Sequence, residues 1–354
     1  MNKEPTAMLR TLAKTASAAL IGLCSLTAHA ASDVVYFYNW SEYIPEGLLH
    51  EFEQETGIKV IYTTYDSNEA MHAKLKLTGA KGYDLVVPST YFVAKMRDEG
   101  LLQPIDHSKL SNLKHLDPVM LDKAYDPKNQ YSIPYVWGAT GIGINTDFVD
   151  ADSINSWKDL WNPKWKSQLM LMNDPREVFH MALRILGYSA NSTDEAQIKE
   201  AYQLLKKLMP NALVFNSDTP SLPYMAGEVP LGMIWNGSAF EANKNDPAIT
   251  MIYPKEGAIF WMDNIAIPAG AENVDAAHKL INFLLRPDVA AKVCEEVGYP
   301  TPNKTAKEML DPEFANNPII FPPAEVIEAG EFQSDVGDAV RLYDKYWQML
   351  RTGN

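Results

Sequence analysis

VVYFYNWSEYIPEGLLHEFEQETGIKVIY, residues 34–62, sets the fold class. An apolar run, VVYFY at 34–38, is followed by helical spacing through Leu48, Leu49 and Phe52 and then by a second apolar run, IKVIY at 58–62. The rhythm continues with a helix through Met71 and Leu75 and a third run, YDLVV at 83–87. Pro45 near the first turn, Gly57 after the last, and Asn68 as N-cap of the next helix punctuate the pattern. Short, continuously apolar strands separated by helices predict a parallel sheet covered on both faces, hence an α/β domain. In open sheets of this kind ligands sit beyond the carboxyl ends of the strands. Those ends carry Asn39-Trp40-Ser41-Glu42-Tyr43, Thr64-Tyr65-Asp66 and Pro88-Ser89-Thr90-Tyr91, which are rich in aromatics and hydrogen-bonding groups.

Upstream, Lys3, Arg10 and Lys14 precede an apolar run from Ala16 to Leu26 and then Ala28-His29-Ala30, the three-part form of a secretory signal peptide over residues 1–30 with cleavage before Ala31. Bulky Leu23 argues against a lipoprotein anchor at Cys24. No later stretch reaches membrane-spanning length, so a location outside the cytoplasm is expected. The whole chain of 354 residues is 46% hydrophobic and 21% charged, a globular balance large enough for two domains. Loss of residues 1–30 would leave 28 basic against 44 acidic residues, a formal charge of −16. Such a surface repels nucleic acid and draws small cations. Cys294 would then be the only cysteine, so no internal disulfide is expected.

Downstream, Tyr131 to Asn145 (YSIPYVWGATGIGIN) is long, extended and glycine-bearing; its G-x-x-G-x-G spacing is not the dinucleotide fingerprint, and it reads as a crossing between domains. Trp157 and Trp161, four apart, predict a helix burying two indoles. Helices over Val178–Leu186 and Glu195–Leu208 and a strand LGMIW at 231–235 make a second α/β unit. Helices follow over Asp275–Leu285 and Pro287–Val297, the latter closed by Gly298, and the tail from Pro322 to Leu350 reads as helical, with Gln333 in a polar segment. Two lobes joined by several crossings make a clamshell: 31–138 with 262–306 as one lobe, 139–261 with 307–354 as the other.

Between those lobes lies YPKEGAIFWMDNIA, residues 253–266. In an extended chain Trp261 and Asp263 share a face, while Phe260, Met262 and Asn264 take the other. A carboxylate there needs either protein donors or a cationic ligand. Asp174-Pro175-Arg176-Glu177 fits a helix start, with Asp174 as N-cap and Glu177 reaching back as a capping box. On local evidence the capping reading leads, although the same two carboxylates at a cleft edge could also seat an ammonium. Trp40, Tyr43, Tyr91, Trp235, Trp261 and Tyr299 all fall at element ends beside turns. Aromatic faces with carboxylates suit methylene chains punctuated by ammonium groups. Enzyme templates fare badly. There is no G-x-S-x-G, Walker A, H-E-x-x-H or C-x-x-C, and His50, His72 and His180 have no second His at ligand spacing, so neither a metal nor any other cofactor is expected.

YFYNWSEYIPEGLL, ETGIKVIY, YDLVVPSTY, SIPYVWGATGIGIN, DPREVF, LGMIWNGSAF, PKEGAIFWMDN, INFLLRPDVA and VGYPTPN together closely resemble the periplasmic spermidine/putrescine-binding proteins of bacterial polyamine ABC transporters, from about Val34 to the C-terminus. The resemblance implies a type II periplasmic binding fold. It implies anchoring carboxylates at Asp174, Glu177 and Asp263, with Glu42 near one terminal amine. The aromatic box falls on Trp40, Tyr43, Tyr91, Trp235, Trp261 and Tyr299, and the polar contacts on Ser41, Ser89, Ser217 and Gln333. Ser41 stands where some relatives have Thr, which keeps the hydroxyl. On this resemblance Asp263 and Glu42 would hold one ammonium, Asp174 and Glu177 the opposite end or a secondary amine, and Trp261 and Trp235 would sandwich the methylenes.

The expected function is therefore a monomeric, non-enzymatic receptor that delivers a polyamine to an inner-membrane ABC permease. The alternative is the same clamshell as a sensor of norspermidine or spermidine, signalling through a membrane receptor. Every binding residue is common to both.

Overall fold

The computed structural model describes residues 34–352; the expected signal peptide and its cleavage point lie outside the described residues. The strands are β1 (Val34–Trp40), β2 (Lys59–Tyr65), β3 (Leu85–Val86), β4 (Leu102–Gln103), β5 (Ser132–Asn145), β6 (Leu169–Leu171), β7 (Ala212–Phe215), β8 (Leu231–Trp235), β9 (Ile249–Ile252), β10 (Ile259–Pro268) and β11 (Glu331–Phe332). They run in the order β2-β1-β3-β10-β5-β8-β6-β7, with β4 and β11 on β10 and β9 on β5. β1 is parallel to both β2 and β3, as the apolar runs predict, and β6 is parallel to both β7 and β8.

Two long strands join these parallel halves. β5 and β10 pair antiparallel from Ile259 opposite Thr140 to Ala266 opposite Ser132. Every residue of both is buried. Their ends belong to different cores. Ile133 and Val136 of β5 and Ile265 and Ile267 of β10 pack in one apolar cluster with Phe37, Phe52 and Leu280. Ile142, Ile144 and Ile259 pack in another with Phe179, Leu205 and Tyr343. Each lobe therefore has its own core, and the chain crosses between them on strands that belong to both. This is a two-lobed α/β clamshell.

Local expectations hold where the determinant is local. The helix Pro287–Val297 ends on Gly298 in the left-handed conformation, and Glu195–Leu208 starts on Asp194, whose side chain accepts from Ala196 and Gln197 N–H. Three expectations need correction. The second helix is capped by Ser67, which accepts from Ala70 N–H, so Asn68 is its first residue and turns its side chain into the cleft. Trp157 and Trp161 lie on a short 3₁₀ turn rather than an α-helix; Trp157 is fully buried and donates to Gly257 C=O, whereas Trp161 is half-buried. The tail is not one helix. A short helix at Ala324–Ala329 gives way to β11, whose backbone pairs with β10, before the helix Val340–Thr352 begins. Sheet pairing with a strand some seventy residues away outweighs the helical preference of the tail.

Trp157→Ala is expected to cost about 3–5 kcal/mol, since it empties the largest fully buried side chain of the second core. Chemical denaturation measures this, and a loss below about 1 kcal/mol would mean that the turn repacks.

Candidate functional site

The cleft is organised by one register irregularity. Between Asp263 and Asn264 the pairing of β10 with β5 shifts, so that Asp263 faces Val136 while Asn264 faces Pro134. Regular alternation up to that point puts Trp261 and Asp263 together on the cleft side, and the shift leaves Tyr135 of β5 as the extra residue. Phe260 and Met262 go to the other, where they pack with Trp137 and Ala139. Glycine makes room for the indole. A Cβ on Gly138, the register partner of Trp261, would lie 2.5 Å from the ring and 2.8 Å from Asn236 Oδ1.

Two adjoining cavities share Trp40 and Trp235 as walls. The inner chamber, about 20 Å³, is lined by the three carboxylates Asp174, Glu177 and Asp263, by Tyr91 and Trp261, and by Ser89, Gln333 and Asn68. The outer cavity, about 510 Å³, is lined by Ser41, Glu42, Tyr43, Ser217 and Tyr299 among others. The structure thus brings every side chain named as a candidate ligand contact to one cleft, while dividing them: Asp263 shares the inner chamber with Asp174 and Glu177, and Glu42 stands outside it.

The aromatic rings form a closed circuit. Trp40 meets Tyr43 at 6.2 Å, Tyr43 meets Tyr299 at 5.2 Å, Tyr299 meets Trp261 at 5.2 Å, Trp261 meets Trp235 at 6.3 Å, and Trp235 returns to Trp40 at 6.3 Å. Most contacts are tilted or edge-on, which leaves ring faces free for a guest. Trp40 is fixed by its Nε1–H to Val87 C=O, whereas Trp235 and Trp261 have buried indole N–H groups that donate to nothing among the described residues. Tyr299 fits only because residue 237 is glycine, since a Cβ there would lie 2.4 Å from its ring. Tyr91 stands apart, its hydroxyl accepting from Asn68 Nδ2 at 3.0 Å.

The carboxylates are under-satisfied. Asp263, 2% exposed, accepts from Tyr43 Oη–H at 2.6 Å and Ser89 Oγ–H at 2.5 Å; both donors are neutral, and burial pushes its carboxyl up to about 7. Asp174 caps its helix as expected, accepting from Arg176 and Glu177 N–H at 2.7 and 3.1 Å. Glu177 does not reach back to complete a capping box. Its Oε1 accepts from Gln333 Nε2 at 3.1 Å, and its buried Oε2 takes no hydrogen bond, although Thr140 and Trp235 lie alongside. Burial, reinforced by Asp174, raises Glu177 to about 8. Arg176, the buried cation of this segment, is turned away: it donates to Ser334 C=O and Asn191 Oδ1 and lies over Tyr91 and Tyr343 at 5.1 and 5.3 Å.

At the outer cavity Ser41 Oγ–H donates to Asp218 Oδ1 at 2.8 Å, and Ser217 Oγ accepts from Asn173 N–H. Glu42 holds φ at 56°, a left-handed conformation that a non-glycine residue adopts only when its surroundings impose it. Sequence reasoning missed Asn68 and Asp218. Asn68 was legible only as a cap, and Asp218 meets Ser41 through a contact 177 residues apart in sequence.

A two-lobed shell with an aromatic, anionic cavity between its lobes defines a receptor for a small solute. A profile of the family described as bacterial extracellular solute-binding protein matches residues 47–322, and the chain belongs to that family. It is 59% identical over 338 residues to the spermidine/putrescine-binding periplasmic protein of Escherichia coli K12 and 58% identical over 338 residues to that of Salmonella typhimurium LT2, in each case covering 95% of this chain and 97% of the relative. Among solved structures, the spermidine/putrescine ABC transporter substrate-binding protein of Streptococcus pneumoniae superposes with a TM-score of 0.76 at 36% identity, covering 91% of this chain and 99% of that one.

Gly138→Ala is expected to displace Trp261, lowering stability by about 1–3 kcal/mol and altering the near-ultraviolet circular dichroism. An unchanged spectrum and melting curve would show that the crossing yields at this point. The raised carboxyls give a second expectation. Glu177 keeps its proton to about 8 in the folded chain against an ordinary value of 4.5, so its contribution to stability is full below the ordinary value and is lost as pH rises to about 8. In ligand-free protein the melting temperature of Glu177→Gln relative to the parent should therefore climb between about pH 5 and pH 8 and level off above. A constant gap would mean that Glu177 titrates as an ordinary carboxylate.

Proposed function

We propose that this chain is secreted, captures a linear polyamine, spermidine or putrescine, between its lobes, and hands it to an ABC permease of the inner membrane. The observation that carries the reading is the inner chamber. Three buried carboxylates and the rings of Trp40, Tyr91, Trp235 and Trp261 face a space lined by no cationic side chain. A polymethylene chain with ammonium groups supplies what each lacks: charge-assisted donors for Asp263 and Glu177, and apolar segments for Trp261 and Trp235. A sugar would leave the carboxylates without a cation, and an amino acid would bring a further carboxylate among them. The names of the relatives agree with this chemistry, and their periplasmic designation agrees with the leader-like residues 1–30.

In this reading the lobes are 31–138 with 262–306 and 139–261 with 307–354, and small backbone changes in the crossings close them on the ligand. Asp263 and Glu177 each take an ammonium, Asp174 adds field from the helix start, and Glu42 receives the arm that emerges past Trp40. Ser89, Tyr43 and Gln333 orient the carboxylates. The chain acts as a monomeric receptor rather than a catalyst, and spermidine should be recovered unchanged after incubation with it.

Asp263→Asn tests the assignment. Removing one partner of a buried charge pair costs about 2–5 kcal/mol, so spermidine should bind at least about 30-fold more weakly by calorimetry. Parent-like affinity would exclude Asp263 from the ligand's contacts.

A further inference from the structure

Ser89 and Thr90 start the helix Thr90–Asp98, a place where serine and threonine hydroxyls ordinarily bond the free N–H groups of the first turn. Here both are diverted to distant groups of the cleft. Ser89, at the N-cap, makes no side-chain cap and donates instead to Asp263 Oδ1. Thr90 Oγ1–H donates to Gln333 C=O at 2.8 Å, across 243 residues of sequence.

Gln333 is in turn the residue whose Nε2 donates to Glu177 Oε1 at 3.1 Å. Glu177 Oε2 takes no hydrogen bond, so the contact from Gln333 is what orients this carboxylate. The segment that carries Gln333 is pinned from three directions. Its N–H donates to Phe260 C=O on the crossing strand β10. Its neighbours are held from the side of the second core, where Asn191 Nδ2 donates to Phe332 C=O and Arg176 to Ser334 C=O. From the side of the first core the hydrogen bond is that of Thr90, whose helix packs there through Tyr91, Phe92 and Val93. Thr90, Gln333 and Glu177 are each 4% exposed, so a partner lost here is not replaced from bulk water.

The two carboxylates at opposite sides of the inner chamber are thus set from adjacent residues. Ser89 holds Asp263 directly, and Thr90 holds Glu177 through Gln333. Resting on the polyamine reading, we infer that Thr90 is a positioning residue for the ligand: through Gln333 it places Glu177 against the Ser89–Asp263 pair and so fixes the separation of the two seats that take the ammonium groups. Thr90 lines neither cavity, so it acts without touching the ligand. When Gln333 shifts, Glu177 is no longer aimed, and an amine chain held at Asp263 does not meet its second seat.

The test is calorimetric titration of the purified chain with putrescine and spermidine, with ligand-free melting curves to verify folding. Thr90→Val keeps the side-chain shape and leaves the Gln333 carbonyl buried without its donor, so both ligands should bind about tenfold more weakly. Thr90→Ser restores the hydroxyl and should stay within about threefold of the parent. The double variants separate positioning from a merely structural role. In a Gln333→Ala background Thr90→Val should cost less than about twofold, whereas in a Ser89→Ala background it should keep its full cost. A loss that persists without Gln333, or that vanishes without Ser89, would overturn the inference, as would parent-like affinity in Thr90→Val. Should Thr90→Val not fold, Thr90→Ala takes its place, and failure of both to fold would make Thr90 a residue of stability and overturn the inference as well. In all of these outcomes the parent still binds spermidine and the polyamine reading stands; a parent that binds neither ligand brings down both.

Discussion

A carboxylate buried without a cation is the constraint around which this molecule is arranged. Asp263 is held by two neutral hydroxyls, and a fully buried carboxylate so held is an expensive group. Much of the surrounding structure serves to keep it there. Asn68 donates to Ser89 Oγ at 3.0 Å so that the serine proton is free for Asp263, and Tyr135, the extra residue of β5 at the register shift, donates to the Tyr43 carbonyl and steadies the second donor. Burial without a cation raises the Asp263 carboxyl to about 7, and a positive charge entering the chamber would favour the ionised form that these contacts hold in place.

The aromatic circuit answers a different need. Carboxylates alone attract any cation, including hydrated metal ions. Rings on every side present apolar faces that a hydrated ion cannot exploit and that methylenes can. The rings come from four separate stretches of chain: Trp40 with Tyr43, Trp235, Trp261 and Tyr299. Trp40 and Tyr299 lie in the stretches assigned to one lobe, and Trp235 in those assigned to the other.

Local determinants were legible in the sequence. The parallel arrangement of β1, β2 and β3 follows from the apolar runs, Glu195–Leu208 and Pro287–Val297 from caps and periodicity, and Asp174 from its Asp-Pro start, whereas β6 and β7 were not read from the sequence. Asn68 and Ser67 show where this ends. Both residue types can cap, and the choice fell to Ser67 because Asn68 is needed by Ser89 and Tyr91, more than twenty residues away. Likewise Glu177 fits a capping box by spacing, but Gln333 reaches it across 156 residues, and the tail bends into β11 to bring Gln333 there. Resemblance to a family located these side chains; their division between an inner and an outer cavity is a property of three-dimensional packing alone.

Arg176 shows how the chain avoids defeating its own site. It lies two residues from Asp174 and one from Glu177, and a guanidinium aimed into the chamber would neutralise both and compete with any ligand. Instead its two terminal nitrogens are committed to the Ser334 carbonyl and the Asn191 amide, and its faces to Tyr91 and Tyr343, while its buried Nε–H takes no partner among the described residues. Those acceptors are neutral, so the cation is stabilised without a carboxylate partner. Its charge still acts through space, lowering Asp174 and Glu177 against the larger upward push of burial. Arg176 thus moderates the cost of the buried anions without occupying the place of the ligand. Lysine would serve poorly here, because a point charge on a flexible stem has neither the directed fork nor the flat face that holds the guanidinium away from the chamber.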